Sequence, residues 1–227
     1  LRATVMPIAR KIIGKLGPLQ GALRRAAPKA NAKLALTPEL IKGSLEDSLR
    51  RLGTDRIEVF ALHGPSREEM ARDDIRRALE DVIASGKTRT VSVAGDIAAA
   101  EAALGVGAPY GVVQMPVAAP GDDDPATPLA RARGVGIVTH SIMGEKLARL
   151  SARAAAEPDF RKAACEIAGT QDAEAAVAHL LMARAFARNP EGVVLVSMLS
   201  SRSLSRNRAA AEADPSALSD RLAALGL

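Results

Sequence analysis

Residues 37–65 read TPELIKGSLEDSLRRLGTDRIEVFALHGP, and the order of element types inside this stretch decides the fold. Thr37 offers a side-chain oxygen to the free N–H groups that open a helix, Pro38 suits the first turn, and Glu39 complements the positive end of the dipole. Ile41, Leu45, Leu49 and Leu52 recur at helical spacing, and Gly53 supplies the stop. Arg56–Leu62 (RIEVFAL) then reads as a strand, which places His63 at its C-terminal end.

The same alternation continues downstream. A helix over Asp73–Ser85 turns Ile75, Leu79, Val82 and Ile83 inward and stops at Gly86. Strand Thr88–Val93, helix Asp96–Leu104 and strand Gly111–Met115 follow. After a loop containing Gly121–Pro125 come a short helix near Leu129–Arg133 and strand Gly136–His140. A long helical stretch, Glu145–Arg188, is broken around Pro158 and Gly169-Thr170. Strand Val193–Met198 and helices after Ser203 and Ser216 close the chain, the last forming a C-terminal helical extension over 214–227.

Upstream, Thr4–Ala9 reads as a strand weakened by Pro7, which cannot donate to a ladder. A long basic loop spans residues 14–36, and loops of that length inside a domain are usually functional or mobile. Strands separated by single amphipathic helices predict parallel βα units. Six strands are counted, near residues 4, 56, 88, 111, 136 and 193. A doubly wound sheet and a (β/α)8 barrel both fit that pattern. A dinucleotide-binding sheet needs G-x-G-x-x-G between strand and helix, whereas Gly105-Val106-Gly107 follows a helix, so the barrel is favoured.

The composition fits a single domain spanning 1–227: 227 residues, 48% apolar and 25% charged. No apolar run approaches the ~20 residues of a membrane span, and Leu1–Arg10 lacks a signal-peptide core. The single cysteine, Cys165, excludes an intrachain disulfide and a cysteine-based metal site, and implies a reducing, cytoplasmic setting. The net charge of +5 raises the question of nucleic acid. Arginines lie beside acidic residues along the helices, as in Arg67-Glu68-Glu69, and aromatic residues for base stacking make up only 2% of the chain. A salt-bridged helix surface is the expected reading, with neither nucleic acid nor membrane as a partner.

In a barrel, reactive groups gather at the C-terminal ends of the strands. Lys11, His63, Ala94-Gly95, Gln114, His140-Ser141 and Ser200-Ser201-Arg202 stand there, groups able to donate hydrogen bonds to a carbonyl or a phosphate. No acidic pair suited to glycoside hydrolysis and no G-x-S-x-G elbow occurs at these positions. The Asp122–Asp124 run lacks nearby histidines and reads as a solvated loop, with no metal site expected. His179 falls mid-helix and reads as structural.

Ser44–Glu58 (SLEDSLRRLGTDRIE), leading into Leu62-His63-Gly64-Pro65, resembles the aldo-keto reductase family, in which an "SLxRLxTDxID" helix feeds a strand ending in "xHxP". Gly86–Gly95 is similar to the family's "GKxRxIGVSN", Val112–Pro116 to "xVQxxYN", Gly134–Gly144 to "GIGVIAYSPLG", and Ser200–Asn207 to its closing cofactor segment. The likeness runs in order from about Thr4 to Ala213.

This resemblance implies a (β/α)8 barrel that uses NADP(H) to reduce small aldehydes and ketones by hydride transfer to the carbonyl carbon. The family's tetrad is Asp, Tyr, Lys and His; His63 matches the histidine and Lys11 the lysine. By the same resemblance, Gln114 would hold the nicotinamide carboxamide and His140 would stack on the ring. Ser141, Ser200, Ser201, Arg202 and Asn207 would contact the rest of the cofactor, with Arg202 suited to a 2′-phosphate.

Asp and Tyr have no counterpart, and the chain is expected to be N-terminally incomplete, lacking two βα units of the eight. Ala94-Gly95 replaces a Ser-Asn pair, and Met115-Pro116-Val117 lacks the usual Tyr-Asn. Activity is therefore expected to be impaired. The alternative is a non-catalytic reductase-like scaffold that binds nucleotide or a partner, with self-association through exposed strand edges.

Overall fold

The structure is a computed structural model that describes residues 34–227 apart from 108, 199, 213 and 214; side chains at 202 and 215–219 also lie outside the described part. Leu36–Leu227 form a compact unit of their own. The strand read at Thr4–Ala9, the candidate Lys11 and nearly all of the basic loop 14–36 lie outside the described residues.

Helix α1 (Pro38–Leu52) begins and ends as its sequence dictates. The Thr37 hydroxyl accepts from Leu40 N at 3.2 Å, and Gly53 takes the left-handed conformation (φ 68°) that closes the last turn. Its Ile41, Leu45 and Leu49 are buried. Each such side chain contributes about 1.5–3 kcal/mol when fully removed from water.

The five strands β1 (Ile57–His63), β2 (Thr88–Ala94), β3 (Tyr110–Pro116), β4 (Gly136–His140) and β5 (Val193–Val194) form one parallel sheet in sequence order. This order of consecutive strands joined by helices belongs to the (β/α)8 barrel type, in which each strand lies beside the next in sequence; the described strands do not close into a ring.

Between strands lie α2 (Arg67–Met70), α3 (Asp73–Ala84), α4 (Ile97–Gly105) and α5 (Ala126–Ala132). The helical stretch after β4 resolves into α6 (Glu145–Ala156), α7 (Pro158–Ala168) and α8 (Ala173–Arg188). The breaks fall at Pro158, where a helix can start but not continue, and at left-handed Gly169. Helices α9 (Ser201–Glu212) and α10 (Pro215–Ala224) follow β5. The short α2 has no apolar periodicity to announce it. It is instead set by a capping box, in which Ser66 and Glu69 each bond the other's backbone N–H.

Phe60, Leu62, Val91, Val93, Val113 and Met115 point to the helix side and join α1, α3 and α4 in one apolar cluster. Ala99, Ala100 and Ala103 are fully buried, so α4 approaches the sheet closely without large side chains. Tyr110 is buried on this side too, with its hydroxyl 3.6 Å from the Met70 sulfur. A second cluster behind β4 and β5 joins Val117, Ile142, Leu150, Phe160, Val177 and Leu181.

On the outer surface, Arg76 pairs with Asp73 and Glu80, Arg77 with Asp73, and Lys42 with Asp81, which accounts for the interleaved charges. Such exposed pairs contribute about 0–1 kcal/mol each. Among the described residues, no helix is long and apolar enough to cross a membrane.

Two departures from the sequence reading matter for the site. Val193–Met198 is a strand only over Val193–Val194, although Leu195 N still reaches Thr139 O at 2.8 Å. Asp124, expected as part of a solvated run, is instead largely enclosed. It accepts from the Thr127 backbone and hydroxyl and pairs with Arg188 at 3.3 Å.

Candidate active site at the strand ends

Strand register brings the candidate residues to one rim. His63 lies opposite Ala94, Ala94 opposite Gln114, and His140 opposite Pro116. Three hydrogen bonds carry the ladder past the strand ends: Gly64 N to Ala94 O (2.7 Å), Gly95 N to Gln114 O (3.0 Å) and Val117 N to His140 O (3.0 Å). Thus His63, Gln114 and His140 sit at the C-terminal ends of β1, β3 and β4, where βα barrels place their chemistry. His63 is exposed; Gln114 and His140 are half-buried.

After His140 the backbone turns through Ser141, the one non-glycine residue with positive φ (55°) among those described. A left-handed serine is disfavoured, and two contacts hold it. The His140 Nδ1 and Ser141 Oγ are 2.8 Å apart, and Lys146 Nζ donates to the Ser141 carbonyl at 2.8 Å. Burial, then the Lys146 and His63 charges, push His140 below the usual imidazole range. Lys146 is pushed down by burial and by Arg184, against the opposing pull of Asp122 and Glu145.

Beside this turn lies a cavity of about 370 Å³ whose lining includes Ser141, Gly144, Leu195, Ser197, Arg206 and Asn207. Gly144 precedes α6 with φ 67° and ψ −127°, and α6 carries no side-chain cap. Backbone N–H groups at the start of a helix without a side-chain cap can meet an acceptor, and the dipole favours an anion there. Asn207 is buried, donating through Nδ2 to Ser197 O at 3.2 Å and so fixing α9 against the segment after β5. A larger cavity, about 540 Å³, opens between α6 and α7 around Arg161, Lys162 and Cys165, and contains none of the strand-end residues.

The expected residues divide accordingly. Ser141 and Asn207 line the cavity and His140 adjoins it; His63 and Gln114 share the rim. Ser200 caps α9, accepting from Ser203 N at 3.1 Å, and Ser201 is exposed at the helix start. Arg202 belongs to α9 but its side chain, like Lys11, lies outside the described residues. Arg206 and Lys146 escaped the sequence reading. Arg206 immediately precedes Asn207, and Lys146 follows Gly144 by two residues, so both lie beside motif positions without being among them.

A parallel βα-barrel-type protein with polar groups converging on the C-terminal strand ends is the class that fold and rim define. The sequence pattern of the Aldo/keto reductase family matches residues 11–219. The chain belongs to that family, which is one of oxidoreductases.

Solved structures agree on the fold. The holo form of an aldo-keto reductase, AKR11C1, from Bacillus halodurans superposes with a TM-score of 0.63 at 23% identity, over 85% of this chain and 68% of that one. A thermostable aldo-keto reductase, Tm1743, in complex with the inhibitor epalrestat gives 0.59 at 21%, over 84% and 66%. An aldo-keto reductase, AKR2E5, complexed with NADPH gives 0.56 at 18%, over 84% and 59%. This chain thus spans roughly two thirds of the length of these relatives. Among curated proteins none matches.

Proposed function

We propose that the chain binds NADP(H) and is built for carbonyl reduction of a small aldehyde or ketone in the cytoplasm, with turnover impaired. The observation that carries this reading is the 370 Å³ cavity, where the uncapped start of α6, Arg206 and Asn207 lie beside the His140–Ser141 turn. Amide donors at a helix start and a guanidinium suit the phosphates of a dinucleotide. Ser141 and Asn207 would hold its diphosphate half, and Ser200, Ser201 and Arg202 its 2′-phosphate. Gln114 would bond the carboxamide, and the His140 ring would lie against the nicotinamide.

When bound, the cofactor supplies the hydride. His63 donates a hydrogen bond to the substrate carbonyl and so orients it; Lys11, matched by sequence to the family's lysine, is proposed as its catalytic partner. Protonation of the alkoxide is the weak step. The only tyrosine, Tyr110, is buried against Met70, and burial pushes its hydroxyl up to about 12. A missing general acid lowers the rate by about 10²–10⁴-fold.

Tyr110 also favours a second reading, a reductase-like scaffold that retains nucleotide binding without catalysis. NADPH titrated into the purified chain should gain fluorescence with saturation, and a generic aldehyde should be consumed slowly. Binding without turnover would select the scaffold. Absence of binding would end both.

A further inference from the structure

Arg184 stands in the middle of α8 and is 5% exposed, a position where a charged side chain is rare unless it is paired or hydrogen-bonded. Its guanidinium reaches the loop leaving β3 and donates to Ala118 O at 2.6 Å and to Ala119 O at 3.4 Å. From α6, Arg149 donates to the next carbonyl, Pro120 O, at 3.4 Å. From the end of α8, Arg188 pairs with Asp124. Three successive carbonyls and one carboxylate of a single loop are therefore gripped by three guanidiniums from two helices.

The same loop begins at Val117, whose N–H bonds the His140 carbonyl, and turns back through Asp122 N to Ala119 O at 3.0 Å. It leaves β3 three residues after Gln114. The Nε of Arg184 is buried without a partner among the described residues, which carries a desolvation cost. A side chain that bears such a cost and still reaches two carbonyls is held there by the loop it restrains. Burial and Arg188 press the guanidinium down to about 10, while Asp122 and Asp124 oppose them. It therefore stays charged at neutral pH.

We infer that Arg184, seconded by Arg149, is a positioning residue: it ties the β3 loop to α8 so that Gln114 and the His140–Ser141 turn keep one spacing along the rim. The consequence for the nicotinamide end of the cofactor rests on the proposed function; the tie itself does not.

The test separates the two. Backbone amide exchange is followed residue by residue in Arg184→Met, Arg184→Lys and Arg149→Met, with NADPH affinity measured alongside. Arg153→Met serves as the control, since Arg153 bonds Leu225 O and covers the Phe160 ring at 4.1 Å, away from the loop. Arg184→Met should speed exchange at Val117 and Asp122 by at least tenfold, with the core of α8 still protected, and should weaken NADPH by about tenfold. Arg184→Lys should recover part of both effects, and Arg149→Met should show a smaller change at the same amides.

If Arg184→Met does not fold, Arg184→Lys and Arg149→Met carry the test through the same two amides. Unchanged exchange at Val117 and Asp122, faster exchange spread evenly through α8 and β4, or the same change at the two amides in Arg153→Met, would overturn the proposal. Faster exchange at the loop in a protein whose wild type ignores NADPH would keep the tie and reject the cofactor.

Discussion

His140 and His179 carry the clearest pH consequence at the scale of single residues. Both are held below the ordinary imidazole value of 6.5, mainly by burial, with Lys146 and His63 adding to it for His140 and Arg206 for His179. Between each folded-state value and 6.5 the unfolded chain binds more protons than the native one, so stability rises with pH across that window. The stabilising contribution is complete above 6.5 and is lost as the pH falls toward the folded values. The melting temperature should therefore drop between pH 7 and pH 5. His140→Gln with His179→Gln should flatten that slope. An equally steep slope in the double variant would assign the acid sensitivity to other groups.

Residue roles were unevenly legible in the sequence. The end of a strand is readable from alternation and turn residues, so His63, Gln114 and His140 could be assigned to one rim. What a helical residue touches depends on neighbours far along the chain. Arg184 looks from its flanks, Leu-Leu-Met-Ala before and Ala-Phe after, like a break in an apolar face. Only the carbonyls 65 and 66 residues away explain it.

Among elements, β5 shows how a strand is shortened by its surroundings. Asn189 is buried and donates from Nδ2 to Ile137 O and to Val193 O, both at 3.2 Å, lashing the start of β5 to β4 through a side chain. Gly192 leaves room for that amide: a Cβ there would stand 2.2 Å from Asn189 Oδ1 and 2.4 Å from Ile137 O.

Gly192→Ala should therefore cost roughly 1–3 kcal/mol, as overpacking does, and lower Tm by several degrees. Gly43 lies inside α1, where a Cβ would meet nothing within 4 Å. Gly43→Ala should raise stability by about 0.5–1 kcal/mol. Differential scanning calorimetry of the two variants checks both signs, and a neutral Gly192→Ala would show that Asn189 has another place to go. The apolar run 193–198 concealed this arrangement, because β-propensity reports the residues of a strand and not the presence of a neighbour to pair with.

For the molecule as a whole, β1 and β5 are the outer strands of the described sheet. Val59 and Val193 are about half exposed, at 42% and 53%. Among the described residues the outer edges of these two strands have no partner strand, and such edges with apolar side chains template pairing with another chain. Sedimentation over a hundredfold concentration range should show reversible self-association, and a constant monomer would remove that expectation. The barrel class was readable because consecutive βα units leave a periodic trace. The extent of ring closure was not, since it depends on which strands meet at the seam.

The placement of Tyr110 has a practical side. With no tryptophan in the chain and one phenol wedged between β3 and the Met70 sulfur, ultraviolet emission reports on a single spot at the interface of sheet and helix. Loosening that contact would register as a change in one fluorophore, with no indole background to subtract.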